Sequence, residues 1–197
     1  YCDGGISADG RQVAIRLRAG NTRFGARAAG VPFNIYRHGT AAGGGMQAGT
    51  YAVAAGDVLD ATFAHTHFTH GRYDVDVHAP NGFYRRYRGV RGGLRLQAEG
   101  RYLCGPGKDL VVRVSNHGAK TADITCTLAQ SGMIRSMHVA PGHVAELFFD
   151  LAHSLFWYDI SLTCAHEPEL LYQFAGRIET GQPGRTDPAM GAGSTAR

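Results

Sequence analysis

The sequence predicts an all-β chain built as two tandem antiparallel β-sandwich domains, and three observations lead there. Segments recur in the same order at a nearly constant offset. Apolar residues alternate with polar ones in short runs, the period of a half-buried strand. The 28 glycines and the low charged fraction of 18% suit tight turns better than long helices.

The repeat is explicit in the residues. Val53-Ala-Ala-Gly-Asp-Val58 recurs as Val139-Ala-Pro-Gly-His-Val144, and Tyr73-Asp-Val-Asp-Val77 as Tyr158-Asp-Ile-Ser-Leu162. Upstream, Val13 to Arg18 (VAIRLR) answers Leu110 to Ser115 (LVVRVS) at an offset about ten residues larger, so the first copy is the longer between these points. Downstream, Phe83 to Gly89 (FYRRYRG) answers Leu170 to Gly176 (LLYQFAG). A period of roughly 90 residues is too long for a solenoid unit and fits a repeated domain. The expected division is 1–91 for the first repeat, 92–182 for the second and 183–197 for a tail, with the first repeat starting inside or just after its first strand.

Within each copy the strands follow from alternation. Val13, Ile15 and Leu17 share one phase, as do Tyr73, Val75 and Val77. In the second copy Leu110, Val112 and Val114 share a phase, and so do Tyr158, Ile160, Leu162 and Cys164. Turn signals separate the runs: Pro80-Asn-Gly82, Asn116-His-Gly118, Pro141-Gly142 and the glycine-rich stretch 41–45. The second copy reads as seven strands near 94–103, 109–115, 121–129, 134–140, 143–150, 157–164 and 169–178, the rhythm of an immunoglobulin-like sandwich. Trp157, in Leu155-Phe-Trp-Tyr-Asp159, reads as core packing. Only Gly89–Gly93 separates the copies, which calls for a close tandem. The tail from Gln182, rich in Gly, Pro, Ser and Ala, reads as loose at its end.

Composition bounds the function. Hydrophobic residues make up 44%, enough for a buried core, and no apolar run reaches the ~18–20 residues of a membrane-spanning helix. The net charge of +4 and a pI near 9.0 weakly favour anionic partners. The chain starts at Tyr1, with nothing like a signal peptide, and reads as a mature product or an excised piece. Cys2, Cys104, Cys126 and Cys164 show no CxxC spacing, which argues against a structural zinc site. Cys126 and Cys164 lie on the apolar phase of their strands and are absent from the first copy. Both a disulfide across the second core and two buried thiols fit that pattern.

Catalytic constellations are hard to find. There is no G-x-S-x-G elbow, and Pro168 after His166-Glu167 prevents an HExxH helix. His65, His67 and His70 form the sharpest metal candidate, since a strand would turn His65 and His67 to one face. No carboxylate or cysteine completes that set nearby, so the expectation is no metal, no cofactor and no catalytic site. Asp74 and Asp76 read as a solvated strand face. The aromatic and basic stretch at 83–88 offers Tyr84, Arg85, Arg86 and Arg88 as contacts for phosphate or lipid head groups. The competing reading is a last strand with Phe83 and Tyr87 inward and every arginine solvated.

Two motifs carry a resemblance. Leu171 to Gly181 (LYQFAGRIETG), followed by Asp187-Pro-Ala-Met-Gly191, resembles the C-terminal end of bacterial phosphocholine-preferring phospholipases C. His78 to Gly89 (HAPNGFYRRYRG) is similar to the preceding repeat of that family. The resemblance implies a larger secreted enzyme, exported through the twin-arginine route. Its upstream catalytic domain, similar to the acid-phosphatase superfamily, would hydrolyse phosphatidylcholine or sphingomyelin to diacylglycerol or ceramide and phosphocholine. No catalytic residue carries over to this chain, whose implied role is an accessory pair. Its implied partners are the upstream catalytic domain and a phospholipid membrane surface, with no nucleic acid. The alternative from another class is an extracellular module that recognises carbohydrate or protein through aromatics on an exposed sheet face.

Overall fold

Alternation of apolar and polar residues produces strands nearly everywhere in the computed structural model, which describes residues 1–22, 24–40, 45–103, 109–179 and 184–187. The first repeat contributes β1 (Cys2–Ile6), β2 (Gln12–Arg18), β3 (Val31–Arg37), β4 (Gln47–Val53), β5 (Val58–Ala64), β6 (Arg72–Ala79) and β7 (Phe83–Val90). The second contributes β8 (Leu96–Tyr102), β9 (Leu110–Asn116), β10 (Ala122–Leu128), β11 (Met133–Val139), β12 (Val144–Phe149), β13 (Trp157–Cys164) and β14 (Glu167–Arg177). The only helical elements among the described residues are three-residue 3-10 turns. Each strand expected in the second copy appears within two residues of its predicted ends. Cys104 and the expected loose tail, apart from 184–187, lie outside the described residues.

The strands form two antiparallel sheets that run unbroken through both repeats. The six-stranded sheet has the order β12-β9-β8-β1-β2-β5 and the eight-stranded sheet β11-β10-β13-β14-β7-β6-β3-β4. Read outward from each seam, the halves match: β1-β2-β5 answers β8-β9-β12, and β7-β6-β3-β4 answers β14-β13-β10-β11. The repeats are thus joined edge to edge, β1 on β8 and β7 on β14, about an approximate twofold axis. This arrangement covers four strand edges that two separate sandwiches would leave open. At the β1–β8 seam Gly5, at φ 142°, lies so close to the Leu96 carbonyl that a side chain there would force the strands apart.

The predicted phases point inward. Val13, Ile15, Leu17, Tyr73, Val75 and Val77 are at most 1% exposed, as are their counterparts Leu110, Val112, Val114, Tyr158, Ile160 and Leu162. One apolar core spans both repeats. The three-residue β6–β7 connection, 80–82, uses Asn81 and Gly82 at φ 62° and 71°, the left-handed region that Asn and Gly enter most readily. Trp157 departs from its expected core position. It is only half buried, at the sandwich end, where its indole N–H donates to the Arg185 carbonyl at 2.9 Å.

Candidate functional site

Strand β7, which carries four predicted contact residues, is divided by its own pleat. Phe83, Arg85 and Tyr87 point into the sandwich, whereas Tyr84, Arg86 and Arg88 lie on the outer face of the eight-stranded sheet. Arg85 is therefore corrected as a surface contact: it is 0% exposed. Its Nη1 donates to the carbonyls of Tyr84 (2.7 Å) and Ala175 (2.9 Å), and its Nη2 to the Tyr158 hydroxyl (3.0 Å). The guanidinium lies 4.0 Å from the Phe83 ring centroid and 5.2 Å from that of Phe174. No ion pair to Arg85 forms among the described residues, so neutral oxygens and ring faces hold the charge. The signal was available in sequence: residue 85 shares the phase of Phe83 and Tyr87, and its repeat counterpart is Tyr172, an apolar-phase residue.

On the outer face the remaining residues are already engaged. Arg86 makes a bidentate pair with Asp74 (2.8 and 2.6 Å) and reaches Asp76 at 3.6 Å. Asp76 also accepts from the Tyr84 hydroxyl (3.0 Å) and contacts His38 Nε2 (2.8 Å). Partial burial, and then the Asp76 carboxylate, push the Tyr84 hydroxyl above its usual range. Beside this cluster Tyr36, His78 and Tyr84 form an edge-to-face row, with centroids 5.3 and 5.0 Å apart. A phosphate at Arg86 would have to displace two carboxylates. Arg88, whose Nε donates to the Glu169 carbonyl at 3.3 Å, is the least committed of the three. Sequence reading missed Tyr36 and His38 because their strand had not been paired with β6, which brings them to Asp76 and His78.

The strand that would turn His65 and His67 to one face does not form. Residues 65–67 form a 3-10 turn rather than a strand, so His65 is buried while His67 is exposed. His70 adopts a left-handed conformation at φ 55°. The His65 ring packs edge-to-face on Tyr73, and among the described residues neither ring nitrogen finds a hydrogen-bond partner. Burial, with Arg91 nearby, lowers its pKa from the ordinary 6.5. Among the described residues no three histidines, cysteines or carboxylates converge as metal ligands.

Cys126 and Cys164 are free thiols, in place of the disulfide considered above. They sit on adjacent strands of one sheet, opposite Leu162 and Ile124 respectively, not across the core from each other. Burial pushes the Cys126 thiol up to about 12, which makes it a packing group rather than a nucleophile.

Comparison with known proteins decides what this fold belongs to. Residues 6–90 match the family described as bacterial phospholipase C, C-terminal domain. The first repeat belongs to that family. A non-hemolytic phospholipase C of Burkholderia pseudomallei is 30% identical over 169 residues, which is 77% of this chain and 24% of that protein. The non-hemolytic and hemolytic phospholipases C of Pseudomonas aeruginosa are 33% and 31% identical over 135 and 152 residues, covering 63% and 71% of this chain. The chain spans about a fifth to a quarter of the length of these relatives. The longest similarity exceeds either repeat alone and so enters both. The likeness is thus to a C-terminal domain of these phospholipases C and leaves most of their length unmatched.

Proposed function

We propose that this chain is the non-catalytic accessory module of a secreted phospholipase C that hydrolyses phosphatidylcholine or sphingomyelin and is exported by the twin-arginine route. The carrying observation is the family match at 6–90 on a chain that covers only 19–24% of its relatives. The two repeats, 1–91 and 92–182, act as one rigid unit that packs on the upstream catalytic part of the same polypeptide. Tyr84 and Arg88, on the outer sheet face, are the residues of β7 offered to a phospholipid surface. The test is phospholipase C activity on a choline phospholipid, measured for this chain and for its full-length parent. Activity in the parent alone supports the proposal, and turnover by this chain overturns it. Low-salt cosedimentation with phosphatidylcholine vesicles tests the surface role separately.

A second reading is favoured by the row of Tyr36, His78 and Tyr84 beside Asp76, Arg86 and His38. Aromatic edges among charged groups on a flat sheet suit a sugar, which presents apolar C–H faces and hydroxyls together. Saturable binding to a glycan array, abolished by Tyr84→Ala, would favour that reading over the lipid one.

A further inference from the structure

The two repeats differ in how their first strands are entered. The β1–β2 register pairs Cys2 with Leu17, and the β8–β9 register pairs Ala98 with Val114. Leu17 and Val114 hold the same place in the repeat, so Cys2 answers Ala98. Two residues before Ala98 stands Leu96, 1% exposed, and two before that Leu94, 9% exposed. Both belong to the core, and the Leu94 N–H donates to Glu167 at 2.7 Å, where β14 begins. Their equivalents in the first repeat would be the first and third residues upstream of Tyr1.

At that place the first repeat has a cleft of about 440 Å³. Phe33 and Phe83, 6.2 Å apart, and Tyr102 line it, with Pro80 and Asn81 from the turn that leads into β7, the strand answering β14. The connection 19–30, longer than its counterpart 117–121, adds Phe24 as a further wall. The charged side chains on the lining, Arg18 and Glu179, are engaged by Asp3 (3.3 Å) and the Asn81 amide (2.7 Å), which leaves the space between the rings apolar. Tyr1 completes the lining. Its amino group donates to the Arg18 carbonyl at 2.7 Å, and its carbonyl accepts from the Arg18 N–H at 2.9 Å. The β1–β2 ladder thus runs up to the cleft without a bulge or turn. Burial above all, with Arg85 and Arg18 nearby, lowers the pKa of that amino group from the ordinary 8.0. A peptide N–H at the same place would keep the bond to Arg18 and carry no charge.

We propose that this cleft seats the polypeptide immediately upstream of Tyr1, which prolongs β1 along β2 and β8 as Leu94 to Leu96 lead into β8. Its first and third side chains turn inward among Phe33, Phe83 and Tyr102. Continuing the β1–β8 register, in which Asp3 faces Glu99 and Gly5 faces Gln97, sets the first of those residues opposite Tyr102. The pleat then gives it the inward phase of Cys2 and Ile6. A ring-lined space calls for apolar side chains there, as at Leu94 and Leu96. That residues precede Tyr1 rests on the parent enzyme proposed above; the register and the cleft do not. The consequence is a rigid joint. The upstream part of the parent is held at this end of the sandwich by a bedded strand, not by a free tether.

The experiment compares the 197-residue chain preceded by the parent's own tripeptide with the same chain preceded by Gly-Ser-Gly. Both extensions turn the Tyr1 amine into an amide, so the difference between them reports the added side chains. The parent's own residues should raise the melting temperature by about 3–6 °C over Gly-Ser-Gly, the shift expected when one or two apolar side chains are buried. NMR of that form should show NOEs from the added side chains to the rings of Phe33, Phe83 and Tyr102, with the added amides slow to exchange. Aspartate in place of the residue next to Tyr1 should abolish the gain, because a carboxylate would be buried among rings. Equal melting temperatures for the two extensions, absence of those NOEs, or a gain that survives the aspartate overturns the proposal. The comparison involves no catalysis, so it stands apart from the phospholipase reading. Turnover by this chain would sink that reading and leave the seat of the upstream strand intact.

Discussion

The twofold arrangement sets two equivalent tyrosines in equivalent places, and their surroundings diverge. Around Tyr158 lie Arg85 and the Tyr102 hydroxyl, each at 3.0 Å. Around Tyr73 lie the Tyr172 hydroxyl at 3.1 Å and the His65 ring. Tyr172 is the counterpart of Arg85 and itself donates to the Leu96 carbonyl at 3.1 Å. Both ends thus bury a basic group beside the same tyrosine, but the two groups answer burial differently. A guanidinium keeps its proton throughout the biological range and must be solvated by oxygens and rings. An imidazole can shed its proton, and burial without a partner among the described residues favours the neutral form of His65. The lesson is that equivalent tyrosines take partners from non-equivalent positions, and of these two basic partners only the imidazole titrates near neutral pH.

The largest expected effect breaks the charged end. Arg85→Ala removes the donor to two carbonyls and a hydroxyl and leaves a cavity, at a cost of about 3–5 kcal/mol in urea denaturation. Arg85→Met keeps the apolar stem and fills most of the space, so its cost should be smaller, about 1–3 kcal/mol for the abandoned acceptors. Equal losses in the two variants would show that packing, not polar satisfaction, holds that end. At the neutral end Tyr172→Phe loses one hydroxyl and its two bonds, and about 1 kcal/mol is expected by the same assay.

The pH dependence sharpens the contrast. His65 has a folded pKa below its unfolded value of 6.5, so the unfolded chain binds more protons as the medium acidifies. Its contribution is fully present above about pH 6.5 and is lost as pH falls through the lower folded value. His65→Phe should flatten the decline in melting temperature between roughly pH 7 and 5, while Arg85→Met should leave that slope unchanged. An unaltered slope in His65→Phe would assign the dependence to other groups. The smallest effect belongs to the outer face. Arg86→Ala should cost about 0.5–1 kcal/mol despite two short bonds, because the pair with Asp74 is partly exposed to water.

Much of this was legible before any coordinates. Alternation at Val13–Leu17, Tyr73–Val77 and Tyr158–Cys164 places side chains inside or outside with no knowledge of neighbours, because pleat geometry is local. The same rule would have sent Arg85 inward, but a charge is assigned to solvent unless its partners are known. Those partners, Tyr158 and Ala175, lie 73 and 90 residues away. The histidines misled for a related reason. His65 and His67 read as a strand by composition, yet the chain turns there to cross between sheets. The cleft left only a trace in sequence, the greater length of the first repeat between matched segments.

By itself, the sequence determined the strand content, the inward phase of nearly every apolar run, the twofold repeat and the family, since all four depend on short-range pattern or direct residue matching. Only the tertiary structure decided that the repeats share two sheets, that Arg85 is solvated by tyrosine and carbonyl oxygens, and that an extended connection encloses an aromatic cleft. Strand pairing across a seam, and the energy of a buried charge, depend on groups brought together from distant parts of the chain. No local pattern records which groups those are.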